Sequence, residues 1–291
     1  MKIGYLSSHS VLPENPERRA DAFEHDLQIE CLAPAFAETG FDLCVLQWDE
    51  PETEWTEFSA VIIGTVWDYA DKCDEFLSTL DKIERCGVPV FNPGELVQWN
   101  ARKTYLRDLQ SKGARCIPTL WPECPASADL QRAFDKLKCD DIVVKRQVGA
   151  GAFGQMRLKR GDVLPDYPYP AMIQPFMSPI QTEGEFSFIM IDGELSHALL
   201  KRAKAGEYRI QSLYGGFEEK IDPSEKDIAA ARAVLETLST MPLYARVDMI
   251  RTDDGALTLM ELELIEPYLY PVQADRLGEM FAAAMVRRLR G

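Results

Sequence analysis

Residues 259–271 read LMELELIEPYLYP, and residues 257–264 alternate apolar and polar as a half-buried β-strand does. Side chains two apart on a strand share a face, so Glu261 and Glu263 project together, roughly 6–7 Å apart. Like charges that close repel, and more strongly when partly buried. Just upstream, YARVDMIRTDDGAL places Arg246 and Asp248 on one strand face and then an Asp-Gly hairpin signal. Two antiparallel strands joined there bring Asp248, Glu261 and Glu263 into one cluster. Taken alone, Glu-x-Glu in so acidic a chain reads as exposed surface. As a cluster it is costly unless cations fill it. Oxygen ligands without histidine or cysteine suit Mg²⁺ or Mn²⁺ held partly by substrate phosphates.

Working outward, the 291 residues exceed one typical domain, and two or three lobes are expected. Asp and Glu number 47 against 32 Lys and Arg, a net charge of −15, which argues against general nucleic-acid or anionic-membrane binding. A local basic pocket for a small anion stays compatible with that balance. No apolar run reaches the roughly 18 residues of a spanning helix. MKIGYLSSHS lacks the apolar core of a signal peptide, so a cytoplasmic location is the expectation. The seven cysteines are odd in number, contain no C-x-x-C pair and read as reduced core thiols.

The first hundred residues alternate strand and helix: KIGYL, a helix over residues 21–38 that Pro34 should kink or shorten, FDLCVLQW, SAVIIGTVW, a helix over 74–85 stopped by Gly87, and VPVFN. That order implies a parallel, helix-covered sheet. No G-x-G-x-x-G follows the first strand, so a dinucleotide fingerprint is absent. A short helix and an amphipathic helix ending at Gly113 follow, and from Ile142 the pattern turns to strands and hairpins. Helices over 223–239 and 272–289 finish the chain. The coarse reading is an α/β lobe followed by an α+β lobe.

DIVVKRQVGAGAFGQMRLKR is strand, glycine loop, strand: Lys145 ends the first strand, and Gly149, Gly151 and Gly154 loosen the loop. It reads as a phosphate-covering flap or as a flexible hairpin, and not as a P-loop, because no G-K-[ST] and no helix follow. AMIQPFMSPIQTEGEFS brings Gln174, Phe176 and Met177 to a strand end, with Glu183 shortly after. By itself this is a buried strand and turn, or a hinge offering its backbone to an adenine edge. ALLKRAKAGEYRIQSLYGG gathers Lys201, Arg202, Lys204 and Arg209, either a solvated patch or a pocket for phosphates and a carboxylate. GTVWDY ends a strand where open α/β sheets bind ligands, making Trp67, Asp68 and Tyr69 candidates for substrate contact. The histidines 9, 25 and 197 show no triad or zinc spacing; His9 follows the first strand and could face the cleft.

The succession of these motifs, from WNARKTYL with Lys103 through GAGAFG, IQPFM, the Lys201 cluster, YGG, RVD and ELE, resembles the ATP-grasp superfamily over residues 99–271. Glutathione synthetase and D-alanine–D-alanine ligase show the same order. QPF…EGE, GE.SHA..K and ELELIEP resemble the O-ureido-serine cyclo-ligase group of cycloserine biosynthesis. The resemblance implies a mixed α/β and α+β chain with an ATP-grasp fold. Residues 1–98 would form the N-terminal pre-ATP-grasp lobe and 99–291 the ATP-grasp domain, with a central lid at 116–180 and an antiparallel-sheet lobe at 181–291. It implies ATP and Mg²⁺, with Lys103, Lys145 and the glycine loop at the phosphates, Gln174, Phe176 and Met177 at the adenine, and Glu183 at the ribose. Lys201 would meet the transferred phosphate, Arg246 the acyl centre or the substrate carboxylate, and Arg209 would be catalytic. Asp248, Glu261 and Glu263 would bind the metals; the family residue at Glu263 is asparagine, so this chain adds a charge there.

The expected activity is an ATP-dependent ligase that activates a small-molecule carboxylate as an acyl phosphate and joins it to an amine, in the same molecule or a second one. A small-molecule kinase and a non-catalytic nucleotide-binding protein are the alternatives. A homodimer is common in the superfamily.

Overall fold

The computed structural model describes residues 1–149, 154–204 and 215–290. Its first sheet holds β1 (Lys2–Ser7), β2 (Asp42–Gln47), β3 (Ala60–Thr65) and β4 (Val90–Phe91), all parallel in the order β2-β1-β3-β4. Helix α1 (Ala22–Glu38) connects β1 to β2, and α2 (Cys73–Arg85) connects β3 to β4. Helix α1 runs through Pro34 to Glu38 and is not shortened there. A proline so near the end removes one ladder bond, while the buried Leu32 and Phe36 on either side hold the last turn against the core.

Helices α3 (Gly94–Asn100) and α4 (Tyr105–Ser111) lead out of this layer. Helix α5 (Ser127–Leu137) was not expected from the sequence, although its buried Leu130, Ala133 and Phe134 have helical spacing. It covers a small antiparallel sheet of β5 (Asp141–Arg146), β6 (Met156–Lys159) and β7 (Ala171–Pro175), in the order β6-β5-β7. After the one-turn α6 (Pro179–Thr182) comes the third sheet: β8 (Glu185–Ile191), β9 (Glu194–Arg202), β10 (Phe217–Ile221), β11 (Tyr244–Arg251) and β12 (Leu257–Glu263). Its order is β10-β9-β8-β11-β12, antiparallel throughout. The Asp-Gly turn between β8 and β9 has φ of 54° at Asp192 and 81° at Gly193, the left-handed pair that a tight hairpin needs. Helix α7 (Glu225–Glu236) packs beneath β11 and β12, and α8 (Leu277–Arg290) closes the chain. Residues 271–273 form a separate single turn, so this last helix starts five residues later than the apolar pattern suggested.

Helix α8 returns to the first layer. Phe281 and Met285 share one core with Ile3, Leu32, Phe36 and Tyr244. The approach to α1 is close: a Cβ on Gly278 would lie 2.5 Å from the Cys31 carbonyl oxygen. All seven cysteines are free thiols, as expected, but five are half-buried and Cys86 and Cys124 are exposed, so none is fully in the core. No helix among the described residues is long and apolar enough to cross a membrane.

Two histidines are locked in the interior. His25 Nδ1 lies 2.6 Å from Thr65 Oγ1, and His197 is buried beside Ser196. Burial pushes both imidazoles down to about 4. Between pH 6.5 and 4 the unfolded chain therefore binds protons that the folded one refuses. Stability is full above pH 6.5 and is lost as pH falls through this window, by up to about 3 kcal/mol per histidine. Urea unfolding of the wild type and of His25→Asn at pH 7.0 and 4.5 checks this: the variant has the shallower pH dependence. His9 is exposed and does not line the cavity described next.

Candidate active site

Strand β12 is an edge strand, and its outer backbone groups need partners. Residues from α3 and the start of α4 supply them. Asn100 Nδ2 donates to Leu262 O at 2.9 Å, Leu264 N donates to Asn100 Oδ1 at 3.0 Å, and Leu262 N donates to Tyr105 Oη at 2.8 Å. With Leu262 clamped on both sides, Glu261 and Glu263 are fixed on the opposite face. In the β11–β12 register Asp248 stands opposite Glu261 and Arg246 opposite Glu263. The hairpin thus brings together the three carboxylates that the sequence pattern grouped.

What holds them is a set of cations. Lys103 pairs with Glu261, and Arg246 pairs with Glu263 while its Nε lies 3.0 Å from Asp248 Oδ2. Lys201, buried on β9, reaches Asp248 Oδ1 at 3.3 Å and Glu185 Oε1 at 3.1 Å. Ser187 donates to Asp248, and Arg246 Nη1 donates to the Tyr268 carbonyl at 3.3 Å. The Tyr270 ring lies under both cations, 5.3 Å from Lys201 Nζ and 5.9 Å from the Arg246 guanidinium.

Charges so packed shift one another. Burial works against ionising Asp248, but Arg246 and Lys201 outweigh it and hold the carboxyl below its usual range. Burial opposes charge on Glu261 too, and Lys103 and Lys145 pull it down. Glu263 moves the other way, because burial and the neighbouring Asp248 and Glu261 outweigh Arg246. Glu266 is pushed up to about 8 by burial and by Glu263. Burial also disfavours charge on Lys201 but is overcome by Asp248, Tyr270 and Glu185, leaving its ammonium firmly protonated. Lys145 is lowered, chiefly by burial, and its ammonium makes no hydrogen bond or ion pair among the described residues.

These groups line one cavity of about 520 Å³ between the three sheets. At one end lie Gln174, Phe176, Met177 and Ile180, an apolar slot with one amide. Lys103, Lys145, Gly149 and the carboxylates occupy the middle, and Trp67, Tyr69, Arg19 and Tyr268 the far end. Arg19 lies 5.0 Å over the Trp67 ring and forms a forked pair with Asp21.

Not every expected residue reaches the cavity. Glu183 pairs with Arg251 at 3.1 Å and is not part of the wall, whereas Glu185, two residues on, is. Asp68 turns away to accept the Trp48 indole N–H at 2.7 Å. Gly154 sits behind the wall, its carbonyl accepting the Tyr167 hydroxyl at 2.9 Å. Gly151 and Arg209 lie outside the described residues. Sequence reasoning passed over Arg19, Glu185, Glu266 and Tyr270. Glu185 had a signal, since Lys201 stands directly opposite it once β8 and β9 pair; Arg19 lies in an irregular segment with none.

No three His, Cys, Asp or Glu side chains among the described residues converge as a ready-made metal cage. The donor chemistry still fits a hard divalent cation bound together with phosphates: opposed carboxylates, all oxygen, currently charge-compensated by lysine and arginine.

Comparison with known proteins bears on the whole chain. Residues 3–92 match the family described as D-cycloserine synthetase DcsG, N-terminal domain. The cycloserine biosynthesis protein DcsG of Streptomyces lavendulae is 28% identical over 287 residues, covering 91% of this chain and 95% of that protein. The crystal structure of D-cycloserine synthetase DcsG superposes with a TM-score of 0.84 at 24% identity, covering 99% of this chain and all of that one. D-alanine–D-alanine ligase from Bacillus anthracis superposes with a TM-score of 0.71 at 17% identity, over 100% and 99% of the two chains.

Proposed function

From its similarity to the cycloserine biosynthesis protein DcsG along 91% of the chain, we propose that this chain is an ATP-grasp ligase forming a C–N bond at a small-molecule carboxylate activated by ATP. One observation carries the reading: a half-buried lysine, Lys145, that has no hydrogen-bond or ion-pair partner among the described residues faces opposed carboxylates of β11 and β12 in a cavity with an apolar slot beside it. A cation partly withdrawn from water without a counter-charge is disfavoured, and a nucleotide phosphate would complete it.

The adenine takes the slot at Gln174, Phe176 and Met177, and the phosphates lie along Lys103, Lys145 and Gly149. The ribose role expected of Glu183 would require that side chain to leave Arg251. Asp248, Glu261 and Glu263 would hold the Mg²⁺ ions, which neutralise phosphate charge when bound. Lys103 leaves Glu261 for the phosphates at that point, so the ion pairs seen here are place-holders for the loaded site. Lys201 and Arg246 stabilise charge on the transferred phosphoryl group and on the acyl carbon. Residues 116–180 act as a lid that keeps water from the acyl phosphate. Trp67, Tyr69 and Arg19 receive the carboxylate substrate. The similarity to DcsG along 91% of the chain favours a nucleophile within the same molecule.

The test is ADP and phosphate release with Mg-ATP across amino acids, hydroxy acids and O-substituted serines, with products followed by mass. Release of both with a condensed or cyclised product is expected. ADP with a stable phosphorylated product would assign the chain to the kinases instead. Glu261→Gln is expected to lower turnover at least 100-fold; unchanged turnover would remove Glu261 from the metal set.

A further inference from the structure

Five carboxylates gather where β8, β11 and β12 meet the first lobe, and four are engaged: Glu185, Asp248, Glu261 and Glu263 each contact a lysine or arginine. Glu266 is the exception: its carboxyl meets no lysine, arginine or other side chain at ion-pair or hydrogen-bond distance among the described residues and accepts only its own backbone N–H. Its main chain, by contrast, is held at each step. Asn92 donates to Leu264 O at 2.8 Å, Tyr244 Oη to Ile265 O at 2.8 Å and Trp67 Nε1 to Glu266 O at 3.1 Å; Leu269 N then donates to Gln28 at 2.6 Å. A backbone held at each step that presents an acid without a paired cation into a cavity is the arrangement of a preorganised reacting group rather than of a surface charge.

Its position narrows the role. The Glu266 carboxyl lies within electrostatic reach of Lys103, Glu261 and Glu263 on one side and of Tyr69 and Cys73 of the first lobe on the other. It therefore stands at the junction between the phosphate-binding middle of the cavity and the end assigned above to the substrate.

We propose that Glu266 is the proton acceptor for the attacking nitrogen in the bond-forming half of the reaction, an inference that rests on the ligase reading. The nitrogen lone pair forms the C–N bond, the acyl C–O bond to phosphate breaks, and phosphate leaves with that electron pair. The N–H proton passes to the Glu266 carboxylate. Glu263 is not free for this task, because it is paired with Arg246 here and is assigned to the metal in the loaded site.

The experiment uses the full-length protein and Glu266→Gln, with O-ureido-serine, serine and alanine as both enantiomers, Mg-ATP, and hydroxylamine present or absent. Hydroxylamine attacks an acyl phosphate without needing a strong base. In Glu266→Gln, hydroxamate formation is expected to stay within about threefold of wild type with the KM for ATP unchanged. The C–N product should fall about 100-fold or more, and Glu266→Asp should recover part of it. Wild-type product formation by Glu266→Gln would overturn the assignment, as would equal loss of hydroxamate and product, which marks a merely structural role. If wild-type protein releases no ADP with any of these probes, the ligase reading itself fails and this inference falls with it.

Discussion

Asp248→Asn is expected to lower kcat by about 10³-fold or more while leaving a folded protein. The side chain keeps its shape, so the Ser187 contact and the β11 pairing survive. Only the charge is lost, and it is the charge on which Lys201 and Arg246 both converge. Lys201 then leans on Glu185 alone and Arg246 on Glu263, moving both cations away from the position a transferring phosphoryl group would occupy. Single-turnover ADP formation with saturating Mg-ATP is the measurement. A kcat within tenfold of wild type would show that Asp248 organises the resting ion pairs and not the chemistry.

Arg246→Met should be the more damaging change to the fold. The guanidinium serves three acceptors in three directions: Asp248 through Nε, the Tyr268 carbonyl through Nη1 and Glu263 through Nη2. Removing it leaves buried carboxylates uncompensated, and breaking a buried pair from one side costs about 3–5 kcal/mol. Guanidinium denaturation at pH 7 measures this loss. Arg246→Lys should restore little, because a single ammonium cannot span the fork. Lowering the pH to 5.5 should partly repair Arg246→Met. Glu263, already shifted toward protonation, can then become neutral. Equal destabilisation at both pH values would contradict this account.

Much of the site was legible because strand alternation is a strict constraint. Once 257–264 reads as a strand, Glu261 and Glu263 must share a face, and the Asp-Gly turn limits where Asp248 can stand. The one-residue irregularity after Asp248 in the β11–β12 ladder was not legible, since a bulge leaves no periodic trace. The carboxylate near Gly184 shows a different limit. Glu183 and Glu185 flank a glycine with φ of 117°, and that backbone turn, invisible in composition, decides which of the two enters the sheet and faces the cavity. Helix α5 had a readable apolar stripe that was overlooked, while Arg19 reaches the cavity only through the irregular path before α1.

The return of α8 to the first layer sets an order of assembly during synthesis. The strands and helices of residues 2–91 emerge from the ribosome first, yet the apolar face formed by Ile3, Leu32 and Phe36 is sealed by Phe281 and Met285, nearly 200 residues later. At roughly 5–20 residues per second that face waits about 10–40 s for its cover. During that interval the nascent first lobe carries an uncovered apolar face, and α8 is the element that covers it.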